Sequence, residues 1–386
     1  MPRRKKTEGK YPIEIAEDIF DEGNATLADT LRAVAGTSPA RVALVADANV
    51  VQRTEGLGLR IGKYFKTHGI TLAASPVVVS GGEKIKADGL QSASLVATSL
   101  VDARIGANDA VIALGGGTVL DLAGYAAAQT RGGIKVIRMP TTPAAMIDAA
   151  FADAAAVNSA AVKDAFSVRC EPAAVLIDPT FARTVLDGVW CAGFGEAVRY
   201  AAVCDAALMK RLAKCAERIK ARDFDAMRDT VADCVKSRGG EAFPPFAQWC
   251  AARLESMSGY KLPHGYAVAI AICIDCAYAV KKGLMKEDDQ ELVCRALADC
   301  GALDGLPHSH YLIANHESLM RGLDAEKWDI SQSWNITGSP RYLQKPQAIT
   351  KQKPDAEKKL KNRNADRAKK LGIPYNKDKN VKLDKQ

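Results

Sequence analysis

Two short motifs in the second half of the chain carry side chains that bind divalent metals. Glu196 lies in Gly195-Glu196-Ala197, and His264 directly follows Pro263. Carboxylate and imidazole groups are ordinary zinc ligands. Each residue also has a plainer interpretation, because a glutamate at a helix start acts as a cap and a loop histidine is often only solvated. The two residues taken alone therefore leave a metal site and a structural role both open.

A glycine-rich turn is the strongest local signal in the first half. The apolar run Val111 to Leu114 leads into Gly115-Gly116-Gly117, and a helical pattern with Asp121 follows. Glycines allow a tight turn and close approach to a phosphate, and a helix N-terminus offers free N–H groups to it. The spacing differs from G-x-G-x-x-G. A plain strand-to-helix turn is the alternative interpretation.

Polar residues follow several predicted strands, where open α/β sheets bind ligands. Asp47 and Asn49 follow the strand Arg41 to Val45, and Gly82 to Lys86 follows a strand within Thr71 to Val79. Thr141 and Thr142 follow the strand Ile134 to Met139. Such residues are also common in turns and caps, so each is a weak indication of a nucleotide site by itself.

The elements that must position these residues change character near residue 178. Before it, five apolar strand runs alternate with helical patterns, which predicts a parallel sheet covered on both faces. After it, Ala-, Leu- and Arg-rich sequence with helical spacing predicts an all-helical region. We predict a basic leader at 1–12, an α/β domain with a Rossmann-like parallel sheet at 13–179, a helical domain at 180–327 and a partly disordered tail at 328–386.

The distribution of charge and the cysteines indicate which partners and which compartment to expect. The net charge is +8, and residues 345–386 contribute +9 from 14 Lys+Arg and 5 Asp+Glu, so the body is nearly neutral. We expect neither nucleic-acid nor membrane binding, because the basic tail holds a single tyrosine and no apolar run approaches about 20 residues. The ten cysteines, including the lone pair Cys273 and Cys276, predict buried thiols in a reducing compartment, the cytoplasm.

The ordered set of motifs resembles the dehydroquinate synthase family of sugar phosphate cyclases over roughly residues 13 to 325. Beside the glycine turn and Pro140-Thr141-Thr142, it includes Asp148, Val157-Asn158, Ile177-Asp178, Gly195 to Tyr200 and His264 to Val268. The stretch with Arg253-Leu254-Glu255 and Tyr260 is most similar to the sedoheptulose 7-phosphate cyclase branch.

The resemblance implies an NAD- and divalent-metal-dependent cyclisation of a phosphorylated seven-carbon sugar, with loss of phosphate and no net NADH. It also implies a homodimer, with zinc or cobalt as the metal. NAD would contact Asp47, Asn49, Glu83, Lys86, Gly115, Gly116, Gly117, Asp121, Thr141 and Thr142. The catalytic residues would be Asp148, Asn158, Lys163 and Arg199, and the metal ligands Glu196, Gln248 and His264.

The chain departs from the family's pattern at the metal and the phosphate. Gln248 stands where the family has a histidine ligand, and an amide oxygen is a poor zinc ligand. Ala154 replaces a substrate-binding lysine, Asp153 adds negative charge beside it, and Arg199 replaces a lysine. An arginine expected between Arg238 and Pro245 is not identifiable.

Two further interpretations therefore stand beside the cyclase. The chain could be a catalytically impaired NAD-binding homologue with a structural or regulatory role. It could also be a metal-dependent alcohol or glycerol dehydrogenase, a class that shares the two-domain plan. Such metal sites need more histidine than Gln248, Ala252 and His264 supply, and net NADH production would separate that class from the cyclases.

Overall fold

A computed structural model describes residues 11–35, 40–82, 85, 89–159, 162–238 and 245–304. The predicted tail at 328–386, most of the predicted leader, and Glu83 and Lys86 lie outside the described residues. The predicted domain boundaries therefore stay predictions.

The strands all come before residue 178 in the described sequence. They are β1 (Ile13–Ile15), β2 (Arg41–Asp47), β3 (Thr71–Leu72), β4 (Val77–Val79), β5 (Ala110–Gly115), β6 (Lys135–Pro140), β7 (Ala154–Val157), β8 (Phe166–Arg169) and β9 (Ala174–Ile177).

Helices lie between these strands and make up the rest of the described chain. The α-helices in the first half are α1 (Thr26–Ala35), α2 (Ala48–Arg53), α3 (Leu57–His68), α4 (Leu90–Asp102), α5 (Gly117–Gln129) and α6 (Pro143–Ile147). Those in the second half are α7 (Asp187–Cys204), α8 (Ala206–Lys220), α9 (Phe224–Arg238), α10 (Gln248–Met257), α11 (His264–Lys281) and α12 (Glu287–Asp299). Short 3₁₀ helices span Ala149–Phe151 and Pro179–Thr184.

The main sheet is parallel throughout, which confirms the predicted α/β class. Its order is β1-β9-β6-β5-β2-β3, and β4 also pairs with β2. β5 and β9 are buried along their whole length. Such continuous burial without alternation requires helices on both faces of the sheet. Because β2, β5 and β6 are parallel neighbours, their carboxyl ends lie side by side, and we call this end of the sheet the sheet edge.

Three strands were missed in the sequence. β1 pairs with β9 at the far edge of the sheet, and β7 and β8 form an antiparallel hairpin. Arg138 on β6 organises this hairpin. Its guanidinium is buried and donates to the carbonyls of Ala149, Ala150, Ala152 and Cys170. Because a buried cation needs such partners, one residue fixes the path from β6 to β8.

The helix α11 forms the centre of the second half. It is the one helix in the described ranges that is long and apolar enough to cross a membrane, and 61% of it is buried inside the protein. Such burial is typical of the core helix of a folded domain. The ten cysteines are free thiols. Six are buried as predicted, whereas Cys204, Cys215, Cys273 and Cys294 are partly exposed.

Candidate active site

The glycine turn joins β5 to α5 with ordinary backbone angles. Gly116 is the N-cap of α5 with φ of −73°. The glycines are required for space: a Cβ at Gly115 would lie 2.7 Å from the Cβ of Val119, and one at Gly116 would lie 3.3 Å from Cγ2 of Thr142. The absent Cβ atoms let the turn pack directly against the neighbouring threonine turn.

Thr141 carries a buried hydroxyl at this junction. It follows β6, is 0% exposed, and its amide donates to the carbonyl of Gly115 at 3.0 Å. Its Oγ1 has no hydrogen-bond partner among the described residues. Leaving such a group unpaired costs about 1–3 kcal/mol. Thr142 instead caps α6, accepting from the amide of Ala145 at 3.3 Å. A ligand hydroxyl or phosphate at the sheet edge would satisfy Thr141.

Asp47 and Asn49 lie at the adjacent strand end. Asp47 is buried and caps α2, with Oδ1 accepting from the amide of Asn49 at 2.8 Å and from its Nδ2 at 3.1 Å. A Cβ on Gly81 would overlap the other carboxylate oxygen of Asp47. The capping interpretation is thus observed, while a ligand role for the pair stays a prediction. Asp121 lies on the second turn of α5 and is half-buried.

A second group of predicted residues meets around Arg199. Its Nε donates to Oε2 of Glu196 at 2.7 Å, and Nη2 donates to Oδ2 of Asp148 at 2.8 Å. Glu196 and Arg199 lie one turn apart on the buried helix α7, while Asp148 ends α6. Glu196 is therefore not a helix cap, because it lies in the middle of α7.

The charges around Glu196 favour its ionised form. Burial acts to raise the pKa of Glu196, but the Arg199 charge and the hydrogen bond from His264 lower it to about 2. Burial also raises the pKa of Asp148, against the opposing effect of Arg199. A carboxylate that stays ionised while buried is the state needed to hold a cation.

His264 is the first residue of α11 and lies between two carboxylates. Its Nε2 is 3.3 Å from Oε1 of Glu196, and its Nδ1 is 2.8 Å from Oε1 of Glu255. Glu255 also forms an ion pair with Lys163, whose Nζ lies 2.6 Å from Oε2 of Glu255. Burial and the Lys163 ammonium act to lower the pKa of His264, while Glu255 and Glu196 raise it to about 9.

Two residues of this cluster were missed as site residues. Glu255 on α10 is 0% exposed and faces His264 only because α10 packs along α11. Arg238 ends α9, with Nη1 3.6 Å from Oδ1 of Asp148 and donating to the carbonyl of Ile147 at 3.1 Å. Arg238 could have been recognised from the sequence, because it lies at the start of the segment in which the family resemblance implied an arginine. The resulting chain of alternating charge runs Lys163, Glu255, His264, Glu196, Arg199, Asp148, Arg238.

Gln248 and Asn158 are two further predicted site residues, and their surroundings differ. Gln248 is exposed at the first residue of α10; its backbone N–H donates to the carbonyl of Pro245, and its side-chain amide makes no hydrogen bond within the described residues. Asn158 is buried and its Oδ1 accepts from the amide of Asp164 at 2.9 Å, closing the loop between β7 and β8. Asn158 therefore holds the loop that carries Lys163, and contact with a substrate stays a prediction for it.

The donor groups of the two regions suit different ligands. Glu196 and His264 present a carboxylate oxygen and an imidazole nitrogen 3.3 Å apart, close to the separation of two donors that share one zinc at bonds of about 2.1 Å. Across the described ranges no group of three His, Cys, Asp or Glu could hold a metal. Two donors within the described residues therefore fit a divalent metal. At the sheet edge, the Thr141 hydroxyl and the glycine turn fit a nucleotide.

Comparison with known proteins agrees with this geometry. Residues 76–190 match the family model of the 3-dehydroquinate synthase N-terminal region. The 3-dehydroquinate synthase of Desulforamulus reducens is 28% identical over 309 residues, covering 77% of this chain and 82% of the relative.

Two solved structures share the fold. One is 2-epi-5-epi-valiolone synthase from Streptomyces hygroscopicus with NAD⁺ and Zn²⁺ bound, at a TM-score of 0.71 and 22% identity, covering 95% of this chain and all of that one. The other is 2-deoxy-scyllo-inosose synthase complexed with carbaglucose-6-phosphate, NAD⁺ and Co²⁺, at a TM-score of 0.61 and 18% identity, covering 80% and 83%. The chain is therefore similar in sequence to 3-dehydroquinate synthases, and it shares the fold of these two cyclic-product synthases.

Proposed function

We propose that the protein is an NAD- and divalent-metal-dependent cyclase that closes a phosphorylated seven-carbon sugar with elimination of phosphate. The observation that supports this most is a chain of contacts that runs from Asp148 through Arg199 and Glu196 to His264, in which each neighbouring pair lies within 3.3 Å. These residues come from separate stretches of sequence, and the family resemblance had named all four.

The residues of the proposed active site lie in two regions with different roles. Thr141 and the glycine turn would hold the dinucleotide at the sheet edge, and Glu196 and His264 would hold the divalent metal. When bound, NAD supplies reversible hydride transfer and the metal polarises sugar oxygens. Arg199 keeps Glu196 ionised and holds both Glu196 and Asp148 in position. Lys163, Arg199 and Arg238 surround the carboxylates with positive charge, which favours an anionic substrate.

A catalytically impaired NAD-binding homologue is the second candidate. Both oxygens of Glu196 already have partners, Arg199 on Oε2 and His264 on Oε1. Gln248 offers no strong third donor, and Ala154 replaces the lysine of the family's phosphate motif. These observations favour weak metal binding while leaving the nucleotide region intact.

The proposal is tested by phosphate release from sedoheptulose 7-phosphate and from the dehydroquinate precursor, with zinc or cobalt supplied. We expect release from one of the two substrates, and its loss in Glu196→Gln. Glu291→Gln, on the exposed face of α12, is the matched control and should match the wild type. No release from either substrate, with NAD and metal both bound, would favour the impaired homologue.

A further inference from the structure

We infer that Glu255 is a positioning residue that fixes the orientation of His264 by accepting a hydrogen bond from its ring. Lys163 opposes this effect, because it forms an ion pair with the same carboxylate. This inference rests on the proposed function, because it assigns a metal-directed role to Nε2 of His264, which lies beside Glu196. None of the residue roles predicted from the sequence included Glu255.

The hydrogen-bonding chemistry places a proton on Nδ1 of His264. An ionised carboxylate can only accept, so a ring nitrogen 2.8 Å from it must be N–H. Nδ1 of His264 is therefore the donor to Oε1 of Glu255. Nε2 is then directed at Glu196 and, by the same argument, carries a proton in the metal-free protein. A divalent metal held by Glu196 and His264 would displace that proton, while Nδ1–H stays on Glu255.

Lys163 shares the same acceptor. Its Nζ lies 2.8 Å and 2.6 Å from the two oxygens of Glu255, and 3.2 Å from Nδ1 of His264. Because Lys163 donates to the same carboxylate, it weakens the hydrogen bond that Glu255 accepts from the imidazole of His264. The ammonium also repels any cation that His264 binds, since Coulomb repulsion in a buried site is poorly screened.

The arrangement links two parts of the fold. Lys163 lies in the loop between β7 and β8, whereas Glu255 and His264 lie on α10 and α11. A second bond parallels the ion pair, because Tyr260 Oη donates to the carbonyl of Ser159 in the same loop at 3.2 Å. A shift of the hairpin loop would therefore move Lys163 and alter how Glu255 holds His264.

The two residues should have opposite effects, which a merely structural ion pair would not produce. Glu255→Gln should weaken zinc affinity by about 10–100-fold, the range seen when outer-shell partners of a metal-bound histidine are lost. Lys163→Met should instead strengthen zinc affinity several-fold. Glu291→Gln, which removes an exposed ion pair with Arg295, is the matched control. Zinc affinity is measured by competition with a chelating dye.

A second measurement uses the metal-free protein, in which proton NMR detects the Nδ1–H of His264. The wild type should show a downfield, slowly exchanging ring N–H signal, and Glu255→Gln should move it upfield and speed its exchange at least about tenfold. If this signal depends on Glu255 but the wild type binds no zinc, the proposed function fails and the positioning role stands. If Glu255→Gln leaves the signal and the zinc affinity unchanged, or if Lys163→Met and Glu255→Gln both weaken zinc binding, the positioning role is overturned while the proposed cyclase function survives.

Discussion

Nε of Arg199 lies 2.7 Å from Oε2 of Glu196, and both side chains are only 2% exposed. Arg199 also bonds Asp148, so its removal would leave two carboxylates without their main counter-charge. Arg199→Met should therefore destabilise the fold by about 3–5 kcal/mol, the usual cost of breaking a buried ion pair. Urea unfolding measures the change.

The control for this prediction is an exposed ion pair. Arg211 and Asp233 lie 3.1 Å apart with side chains 53% and 42% exposed. Arg211→Met should change the free energy of unfolding by less than about 1 kcal/mol. Equal effects of the two substitutions would contradict the buried, compensated arrangement around Arg199.

Asp275 gives a prediction for the pH dependence of stability. Its Oδ2 accepts from the amide of Ala247 just before α10, and its Oδ1 has no partner in the described part of the chain. Burial raises the pKa of Asp275 from 3.8 to about 7, although the Ala247 hydrogen bond acts the other way. The folded state thus binds the proton more tightly than the unfolded state.

That difference makes the contribution of Asp275 to stability greatest below about pH 4, and it is lost as the pH rises to about 7. Asp275→Asn should remove this decline, which is on the order of a few kcal/mol. Unfolding at a series of pH values tests it, with the exposed Asp288→Asn as control. An unchanged pH profile in Asp275→Asn would rule out a raised pKa at this position.

Two helical glycines should respond oppositely to alanine. A Cβ on Gly124 of α5 would lie 3.0 Å from the Cβ of Ala155 and 3.2 Å from Sγ of Cys170, so Gly124→Ala should destabilise by about 1–3 kcal/mol. A Cβ on Gly62 of α3 would meet nothing within 4 Å, and Gly62→Ala should stabilise by about 0.5–1 kcal/mol. Thermal unfolding of both variants checks the pair, and the same sign in both would be inconsistent with hairpin packing on α5.

Gln248→His should strengthen metal binding. The substitution supplies an imidazole at the start of α10, where the family has a histidine ligand, and a third strong donor is worth several kcal/mol of metal affinity. Cobalt affinity, followed through the visible spectrum of the bound ion, should rise by about 100-fold or more. Gln290→His, on α12, should leave cobalt affinity unchanged; a rise in Gln290→His equal to that in Gln248→His would refute the assignment of position 248 to the metal site.

The sheet was largely predictable because its strands are continuous apolar runs. β2, β5, β6 and β9 each overlap a run that was identified from the sequence, although the first three extend one or two residues past it. β1 was missed because three residues at a sheet edge carry little pattern, and β7 was missed because an alanine-rich strand has no β-branched signature.

The site residues were predictable only where a motif named them. Glu196 and His264 were expected together, and the structure brings them within 3.3 Å. Glu255 could not be found in the same way, because nothing in its local sequence shows that it faces His264 across two packed helices. Long-range packing decides such contacts, and a single sequence does not contain it.

The most direct test of the central claim records phosphate release and NADH absorbance in the same sample, using protein that contains NAD and metal. A cyclase returns the hydride that it removes, so phosphate should accumulate from a seven-carbon sugar phosphate over many turnovers while NADH stays flat. NADH rising in step with substrate loss, without phosphate, would contradict the cyclase and indicate a dehydrogenase instead.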